Sequence, residues 1–427
     1  MHELRWPKRL AATAGLALGI GAGSATQAQA LLPREALRDE VAQVRQEFLQ
    51  RDRAFSAAAR IEAGQRLDAL QAREEAVDLA WFRLELARIA ALADNAHTVA
   101  GAMGRARLSN RVDLRLAPFG QEFRVLRTRP ADADLLGMRL AAIDDLPVER
   151  LREAAHQLAG GLAAWRDRTA PLLFESPEQL HALGLIADRN SARYRFIRDD
   201  GSTLERRLSA MAPSPTRAQA STDRLLLPEV TPPDLGWSGV LPIDQAPWAW
   251  QQALRSFRWR HDPARSMIVV QMRQVQDARE QRLDAFFSEV RTAVHDLRPT
   301  HLVLDVRHNG GGDLTKGRDF AASLPSLVPG RVFVLTSPWT FSAAITLVGH
   351  VWQAAPSRVQ IVGEPVGDRL VFFAEGRPLQ LRHSGVSLLA ATQRHDYLNG
   401  CDGADDCHPP VRDRPIRAPS LAPHRLV

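Results

Sequence analysis

Lysine is nearly absent from this chain. Only Lys8 and Lys316 occur among 427 residues, although the sequence holds 55 lysines and arginines together. An arginine guanidinium stays protonated in proteins, so the abundant arginines cannot act as general bases. Lys8 lies in a leader that we expect to be removed. Lys316 is therefore the one candidate for any mechanism that requires a lysine.

Cysteine is equally rare, with Cys401 and Cys407 as the only two. Because we expect the chain to be exported, these residues predict a disulfide that closes a small loop. The alternative is a metal site that includes His395 or His408, but the spacing matches no standard zinc pattern. We expect no metal and no cofactor.

Long apolar runs are missing beyond the first thirty residues. The start carries Arg5, Lys8 and Arg9, then an Ala/Leu/Gly stretch that ends in Ala28-Gln29-Ala30. This order predicts a signal peptide cut near Ala30. No later run approaches the roughly 20 residues of a membrane helix, and no cysteine near the cleavage site could carry a lipid. We expect a soluble periplasmic or secreted protein without a membrane span.

A strong excess of one charge is also missing. The formal net charge is +6, and part of it belongs to the leader. The arginines of the chain are spread among its 49 acidic residues. This balance does not favour a nucleic-acid partner.

The sequence after the leader divides into four regions. Residues 31–105 place apolar side chains at helical spacing, which predicts a helical cap that ends in the polar cluster Asp94 to Thr98. Residues 106–211 mix strand-like and helical stretches, and residues 212–262 are a Pro-, Ser- and Thr-rich linker and extended segment. In residues 263–427 short apolar strands alternate with helices, which is typical of a sheet covered by helices. The predicted strands are 268–270, 302–305, 332–335 and 359–362, and the predicted helices are 277–297, 314–324 and 342–352.

Two stretches of the last region carry the chemistry. LVLDVRHNGGG, from Leu302 to Gly312, is a buried strand followed by three glycines, whose backbone N–H groups can adopt conformations closed to other residues. WTFSAAI, from Trp339 to Ile345, places Ser342 at the start of a predicted helix. A serine there, close to a glycine turn, offers a nucleophile and a place for an oxyanion. A phosphate-binding loop is excluded because Lys316 does not stand at the required spacing from the glycines.

These motifs resemble a known family. DVRHNGGG, WTFSAAI and IVGEPVGD (Ile361 to Asp368) resemble the three core motifs of the C-terminal processing, or tail-specific, serine proteases. That family includes the tricorn protease core and the interphotoreceptor retinoid-binding proteins. Asp94 to Thr98 is similar to the Asp-x-x-His-Thr element that precedes the core in many members, and the region 135–151 is similar to half of a PDZ-like module.

The resemblance implies an α/β (α+β) fold, with a crotonase-like ββα core, an N-terminal helical cap and a PDZ-like insert. It implies Ser342 as the nucleophile. It also implies an oxyanion hole formed by the amides of Gly310 or Gly311 and of Ala343. The implied substrate is a peptide or an unfolded protein tail.

The base that activates the serine departs from the common pattern of the family. Many members use a lysine in a Gly-Lys-Gly turn, and here Asp368 of the turn Gly367-Asp368-Arg369 takes its place. Lys316 is expected to be a solvated surface charge. The tricorn-like branch places a histidine where this chain has His97, so we predict a Ser342–His97 pair. A purely structural role for His97 at the end of the helical cap stays open, and His350, His383 and His395 are the competing histidines.

The group that orients the base is not decided by the sequence. Glu375, Asp368 and Asp94 are all candidates. In the tricorn pattern a serine directly precedes the histidine, whereas this chain has Ala96. Asp305 is expected to orient the glycine turn, to serve as a structural cap or to pair with Arg307.

Two more residues and one competing function complete the expectations. We expect the side chain of Asn309 to fix the glycine turn through a bond to the backbone. Trp339 is expected to pack in the core or to line a substrate pocket. The predicted function is that of an exported serine peptidase. The competing function is an inactive relative that binds peptides or apolar ligands.

Overall fold

The computed structural model describes residues 30–213, 227–228 and 236–397, together with the backbone of Cys407–His408. Residues 1–29 of the predicted leader lie outside the described residues, and so does Cys401, with which Cys407 is predicted to pair. Part of the predicted linker lies outside them as well. Within the described residues, no helix is long and apolar enough to cross a membrane.

The N-terminal region is helical, as the apolar spacing predicts. Its helices begin where short polar side chains accept backbone hydrogen bonds: Ser56 accepts from the N–H of Ala59, and Asp78 accepts from the N–H of Trp81. A π-helical turn, Val44–Leu49, extends the first helix. The helices are Arg34–Gln43, Ala57–Gln71, Leu79–Ala91 and Ala102–Leu108, and the short strands are Leu31–Leu32, Val77–Asp78 and Val99–Ala100.

The next region is an antiparallel sheet with short helices. The sheet runs in the order Ser238–Gly239, Glu122–Thr128, Arg139–Ile143, Ser191–Ile197 and Thr203–Ser209. Two further strands pair at its side: Leu114–Phe119 with Glu122–Thr128, and Leu146–Pro147 with Arg139–Ile143. Its helices are Val148–His156, Ala163–Thr169, Pro171–Phe174 and Pro177–Ala182. This sheet shares one apolar core with the N-terminal helices, so the two regions pack as a continuous body.

The third region is the predicted sheet covered by helices, and it has its own apolar core. The strand order is Phe257–Asp262, Met267–Met272, His301–Asp305, Val332–Thr336 and Val359–Gly363, with the first pair antiparallel and the rest parallel. The helices are Leu283–Leu297, Leu314–Leu327 and Ala343–Ala354. Every strand and helix predicted after residue 263 is confirmed in type. The carboxyl ends of the parallel strands meet at one edge, where open α/β sheets place their ligands.

The last strands return toward the N-terminal region. Val371–Ala374 pairs with Gln393–Asp396, which also pairs with Cys407–His408. Pro378–Gln380 pairs with Ser387–Leu389, and this strand in turn pairs with Val99–Ala100. The loop that carries His97 directly precedes Val99–Ala100. The C-terminal strands therefore tie that loop to the region that contains Ser342.

Candidate active site

The glycine turn follows the central strand His301–Asp305. Asn309 is fully buried, and its Oδ1 accepts a hydrogen bond from the N–H of Gly311 at 3.0 Å. This is the predicted bond from the side chain to the backbone. Gly311 and Gly312 have φ values of +100° and +142°, which side-chain-bearing residues rarely adopt. Asn309 and two glycines thus fix the shape of the turn.

Ser342 directly precedes the helix Ala343–Ala354, at the end of the short loop that follows the strand Val332–Thr336. Its backbone has φ +55° and ψ −129°, a strained conformation for a residue with a side chain. In α/β-hydrolases the nucleophile, likewise in a strained conformation, directly precedes a helix. The loop before Ser342 is tied to the glycine turn, because the N–H of Phe341 donates to Asn309 O at 3.0 Å. Ser342 is half-buried, and its hydroxyl does not cap the helix.

Backbone donors lie on both sides of Ser342. The N–H of Gly311 is engaged by Asn309. The N–H groups of Gly310 and Ala343 make no hydrogen bond to any residue that the structure describes. Ala343 is the first residue of its helix, where N–H groups lack an intrahelical acceptor. Of the amides expected in an oxyanion hole, those of Gly310 and Ala343 are the ones still able to donate.

The loop that carries His97 is anchored by its neighbours. Asn95 bonds both backbone groups of Phe373: its Nδ2 donates to Phe373 O at 2.9 Å, and its Oδ1 accepts from Phe373 N at 3.1 Å. Thr98 donates to the buried carboxylate of Asp52 at 2.7 Å. A Cβ on Gly161 would lie 2.8 Å from the Cβ of Ala96, so a glycine also allows close packing against this loop.

His97 lies close to Asp368 and to the residue that precedes Ser342. Its Nδ1 is 3.4 Å from Asp368 Oδ2, and the two side chains are 11% and 1% exposed. The imidazole stacks on the ring of Phe341 at a centroid distance of 4.3 Å. Among the described residues neither nitrogen of His97 has a hydrogen-bond partner, so no bond to the Ser342 hydroxyl is formed. The structure brings His97 and Asp368 close to the turn that carries Ser342, but the three side chains do not form a hydrogen-bonded triad.

The other candidate acids lie elsewhere. Asp94 pairs with Arg166 and Arg369, and about half of its side chain is exposed. Glu375 lies 3.5 Å from His395 Nε2. Asp368 is thus the candidate acid that the structure places beside His97.

The remaining histidines and the lysine make separate contacts. His350 is buried in the helix that follows Ser342, and burial lowers its pKa. His383 contacts Asp39 of the N-terminal helices at 3.0 Å. Lys316 pairs with Asp277 at 2.7 Å with 40% of its side chain exposed, which agrees with the predicted surface charge. The expected pair of Asp305 and Arg307 is confirmed as well.

Two pockets border the site. One, of about 490 Å³, is lined by Gly310, Gly311 and Gly312 together with Arg273 and His308. The other, of about 540 Å³, lies between the antiparallel sheet region and the core and is lined in part by Phe119, Trp250 and Trp339. Trp339 is also nearly buried, so it packs in the interior and lines this pocket, and its role in binding a substrate stays a prediction. Within the described residues, no cluster of three His, Cys, Asp or Glu side chains could hold a metal.

Sequence reasoning missed a column of aromatic rings beside the serine. Trp165 stacks on Phe341 at one end of the column. Toward the other end, Phe372 stacks between His97 and His395. These residues come from distant parts of the chain and form no sequence motif. Only the folded structure brings them together.

Comparison with known proteins supports the fold. No family model and no curated protein matches the sequence. The structure of mature CPAF complexed with lactacystin is similar with a TM-score of 0.53 and 12% identity, over 85% of this chain and 90% of that one. The chain therefore has the same overall fold as mature CPAF.

Two further solved structures are similar over most of the chain. Mature CPAF alone gives a TM-score of 0.52 at 12% identity, over 84% of this chain and 89% of that one. The photosystem II D1 C-terminal processing protease gives 0.37 at 13% identity, over 85% and 88%. The predicted α/β (α+β) class is confirmed, whereas the assignment to the tricorn-like branch stays a prediction.

Proposed function

We propose that this chain is an exported serine peptidase that cleaves peptides or unfolded protein tails with a Ser–His pair. One observation carries the proposal. His97 lies against Phe341, the residue before Ser342, and has the buried carboxylate of Asp368 3.4 Å behind it. A serine hydroxyl, an imidazole and a carboxylate at one edge of the sheet are the groups that acyl transfer requires.

The proposed reaction has two halves. Ser342 Oγ attacks the peptide carbonyl carbon while His97 Nε2 takes the hydroxyl proton. The C–N bond then breaks, and the imidazolium returns that proton to the leaving amine, which gives an acyl-enzyme. A water molecule, deprotonated by His97, attacks the acyl carbon. The ester bond between that carbon and Ser342 Oγ then breaks, the imidazolium returns its proton to Oγ, and the second product leaves as a carboxylic acid. Since Nε2 and Oγ are not hydrogen-bonded here, substrate binding must bring them into contact, as is common for catalytic groups in free enzymes.

The oxyanion of each tetrahedral intermediate would be held by the amides of Gly310 and Ala343. Gly311 would shape the turn, because its own N–H is bound by Asn309. Loss of one oxyanion donor typically raises the barrier by about 3 kcal/mol. The glycine turn would therefore supply a large part of the rate enhancement.

Asp368 would stabilise the imidazolium that forms during the reaction. It is nearly inaccessible to water, and its Oδ1 accepts the N–H of Arg369 at 2.8 Å while Oδ2 faces His97. A lysine-based mechanism is disfavoured because Lys316, the one lysine outside the predicted leader, is paired with Asp277 at the surface.

The substrate would enter between the core and the antiparallel sheet region. The pocket of about 540 Å³ lies there, with Phe119 on one side and Trp339 on the other. Residues 106–211 would form a PDZ-like insert that receives an extended peptide as an added strand. The signal peptide would direct the protein to the periplasm or to the outside of the cell.

A serine-directed fluorophosphonate probe tests the proposal. We expect labelling of Ser342 in the wild type, none in Ser342→Ala and much less in His97→Ala. The matched controls are Ser326→Ala and His295→Ala, which change exposed residues and should label normally. A folded wild-type protein that takes up no probe would instead support the inactive peptide- or ligand-binding protein.

A further inference from the structure

The imidazole of His97 occupies a slot between two phenyl rings. Phe341 lies at a centroid distance of 4.3 Å with an interplanar angle of 19°. Phe372 lies at 5.1 Å with an angle of 9°. The three rings are therefore nearly parallel, with His97 in the middle.

The column continues on both sides of this slot. Trp165 stacks on Phe341 at 3.8 Å, and His395 stacks on Phe372 at 4.8 Å. Trp165 belongs to the helix Ala163–Thr169, whereas Phe372 belongs to the strand Val371–Ala374. Elements from both halves of the molecule thus support the rings on either side of His97.

Hydrogen bonds do not fix the orientation of this imidazole. Neither of its nitrogens is bonded to a described residue, and Asp368 is 3.4 Å away without the geometry of a hydrogen bond. The terminal torsion of a histidine is broad and has no sharp energy wells of its own. The flat faces of Phe341 and Phe372 are therefore the contacts that restrict rotation of the ring.

We propose that Phe341 and Phe372 are positioning residues that hold His97 in the plane required for proton transfer from Ser342, an inference that rests on the proposed function. Parallel packing blocks rotation out of the plane, so Nδ1 stays on the side of Asp368 and Nε2 on the opposite edge. The negative faces of both phenyl rings also favour the imidazolium that forms when His97 takes the proton. Trp165 supports Phe341 from the antiparallel sheet region.

The test compares Phe372→Leu with Phe372→Tyr. Leucine keeps the site apolar but removes the flat face, whereas tyrosine keeps the face. We expect Phe372→Leu to lower kcat by about 10²-fold, as a misplaced catalytic group does, with KM nearly unchanged. The pH profile of the residual activity of Phe372→Leu should lose the part that depends on His97 acting as a base. Phe372→Tyr should keep both the wild-type kcat and that part of the profile.

Phe373→Leu is the matched control. Phe373 is the next residue of the same strand, so its side chain points to the opposite face. Its activity should equal that of the wild type. A Phe372→Leu protein with wild-type kcat and pH profile overturns the inference.

A second variant covers the case in which Phe372→Leu does not fold. Trp165 is half-buried at the end of the column, so Trp165→Leu should fold and should lower kcat in the same direction by a smaller factor. Trp81→Leu, a half-buried tryptophan in the helix Leu79–Ala91, is its control and should keep full activity. Unchanged kcat in Trp165→Leu together with an inactive, unfolded Phe372→Leu overturns the positioning role.

A readout without activity separates this inference from the proposed function. In the wild type, NMR of histidine labelled with ¹³C should show the ring protons of His97 shifted upfield by the two flanking phenyl rings. The shift should become smaller in Phe372→Leu, which keeps only the ring of Phe341 beside His97, and should persist in full in Phe373→Leu. If the shift is present but wild-type Ser342 takes up no fluorophosphonate, the proposed function fails, and the role in catalysis fails with it. If Ser342 is labelled but the shift is absent, the proposed function stands, and the positioning of His97 by Phe341 and Phe372 is wrong.

Discussion

A Cβ atom on Gly311 would lie 2.7 Å from the Cβ atom of Ser342. It would also lie 3.0 Å from the nitrogen of Ala343. The glycine turn and the proposed nucleophile are therefore in direct contact, with no room for one more methyl group between them. The φ of +100° at Gly311 adds a second reason for glycine at this position.

Gly311→Ala should reduce kcat/KM by about 10²-fold or more, because the added methyl group pushes the serine away from its amide donors. Backbone strain at a positive φ should also destabilise the fold by about 1–3 kcal/mol. Kinetics with a peptide substrate and urea denaturation measure both effects. Gly104→Ala is the control: no atom lies within 4 Å of its added Cβ, and it stands within the helix Ala102–Leu108. It should keep full activity and gain about 0.5–1 kcal/mol of stability.

Asp368→Asn should lower kcat by about 10²–10⁴-fold, since a neutral amide cannot stabilise the imidazolium of His97 and favours the wrong tautomer. KM should change little. Asp94→Asn and Glu375→Gln remove the other two candidate acids, which contact Arg369 and His395, and should cost less than tenfold in kcat because neither carboxylate contacts His97. A larger loss in Glu375→Gln than in Asp368→Asn would reassign the orienting group to Glu375.

The sequence was sufficient to predict the strands and helices of the core, but not which side chains meet around His97. The strands and helices after residue 263 were predictable because each has its own apolar period and turn signals. The glycine turn and Ser342 were recognisable because their chemistry is local. Asp368 could not be chosen over Glu375, since the choice depends on which acid the returning strands bring to His97.

The aromatic slot was invisible for the same reason. His97 and Phe372 are far apart in the chain, and the bonds of Asn95 to Phe373 help to bring them together. No periodicity within either segment encodes that meeting. Sequence patterns reveal which face of an element is buried, but not which distant side chain covers it.

Asn95→Ala should weaken the link between the His97 loop and the strand Val371–Ala374. It removes one donor to Phe373 O and one acceptor from Phe373 N, and it leaves those groups without these partners. Fully buried groups left without partners cost about 1–3 kcal/mol each, and these two groups are partly buried, so we expect a total loss near the lower end of that range, which urea denaturation should detect. We also expect kcat to fall more than KM rises. A variant that lost stability but kept kcat would show that this anchor does not position His97.

The pair of Asp305 and Arg307 should make stability depend on pH. Asp305 is 2% exposed, and its carboxylate accepts from Arg307 Nε at 2.9 Å and from Arg307 Nη2 at 2.8 Å. Burial alone raises the pKa of Asp305, but the hydrogen bonds and charge of Arg307 outweigh it and lower that pKa. A lowered folded pKa stabilises the protein above the unfolded value of about 3.9, and this contribution is lost as the pH falls through the folded pKa.

Arg307→Met should reverse this dependence. Without the guanidinium, burial raises the pKa of Asp305 above its unfolded value, so the free energy of unfolding falls as the pH rises through the raised pKa. The gap between wild type and variant should therefore widen from about pH 4 upward and reach about 3–5 kcal/mol at pH 7. Urea denaturation at a series of pH values measures the gap. The double variant Asp305→Asn/Arg307→Met should recover most of the loss at pH 7, because no buried charge remains. A gap that stays constant between pH 4 and pH 7 would mean that loss of Arg307 does not raise the pKa of Asp305 above its unfolded value.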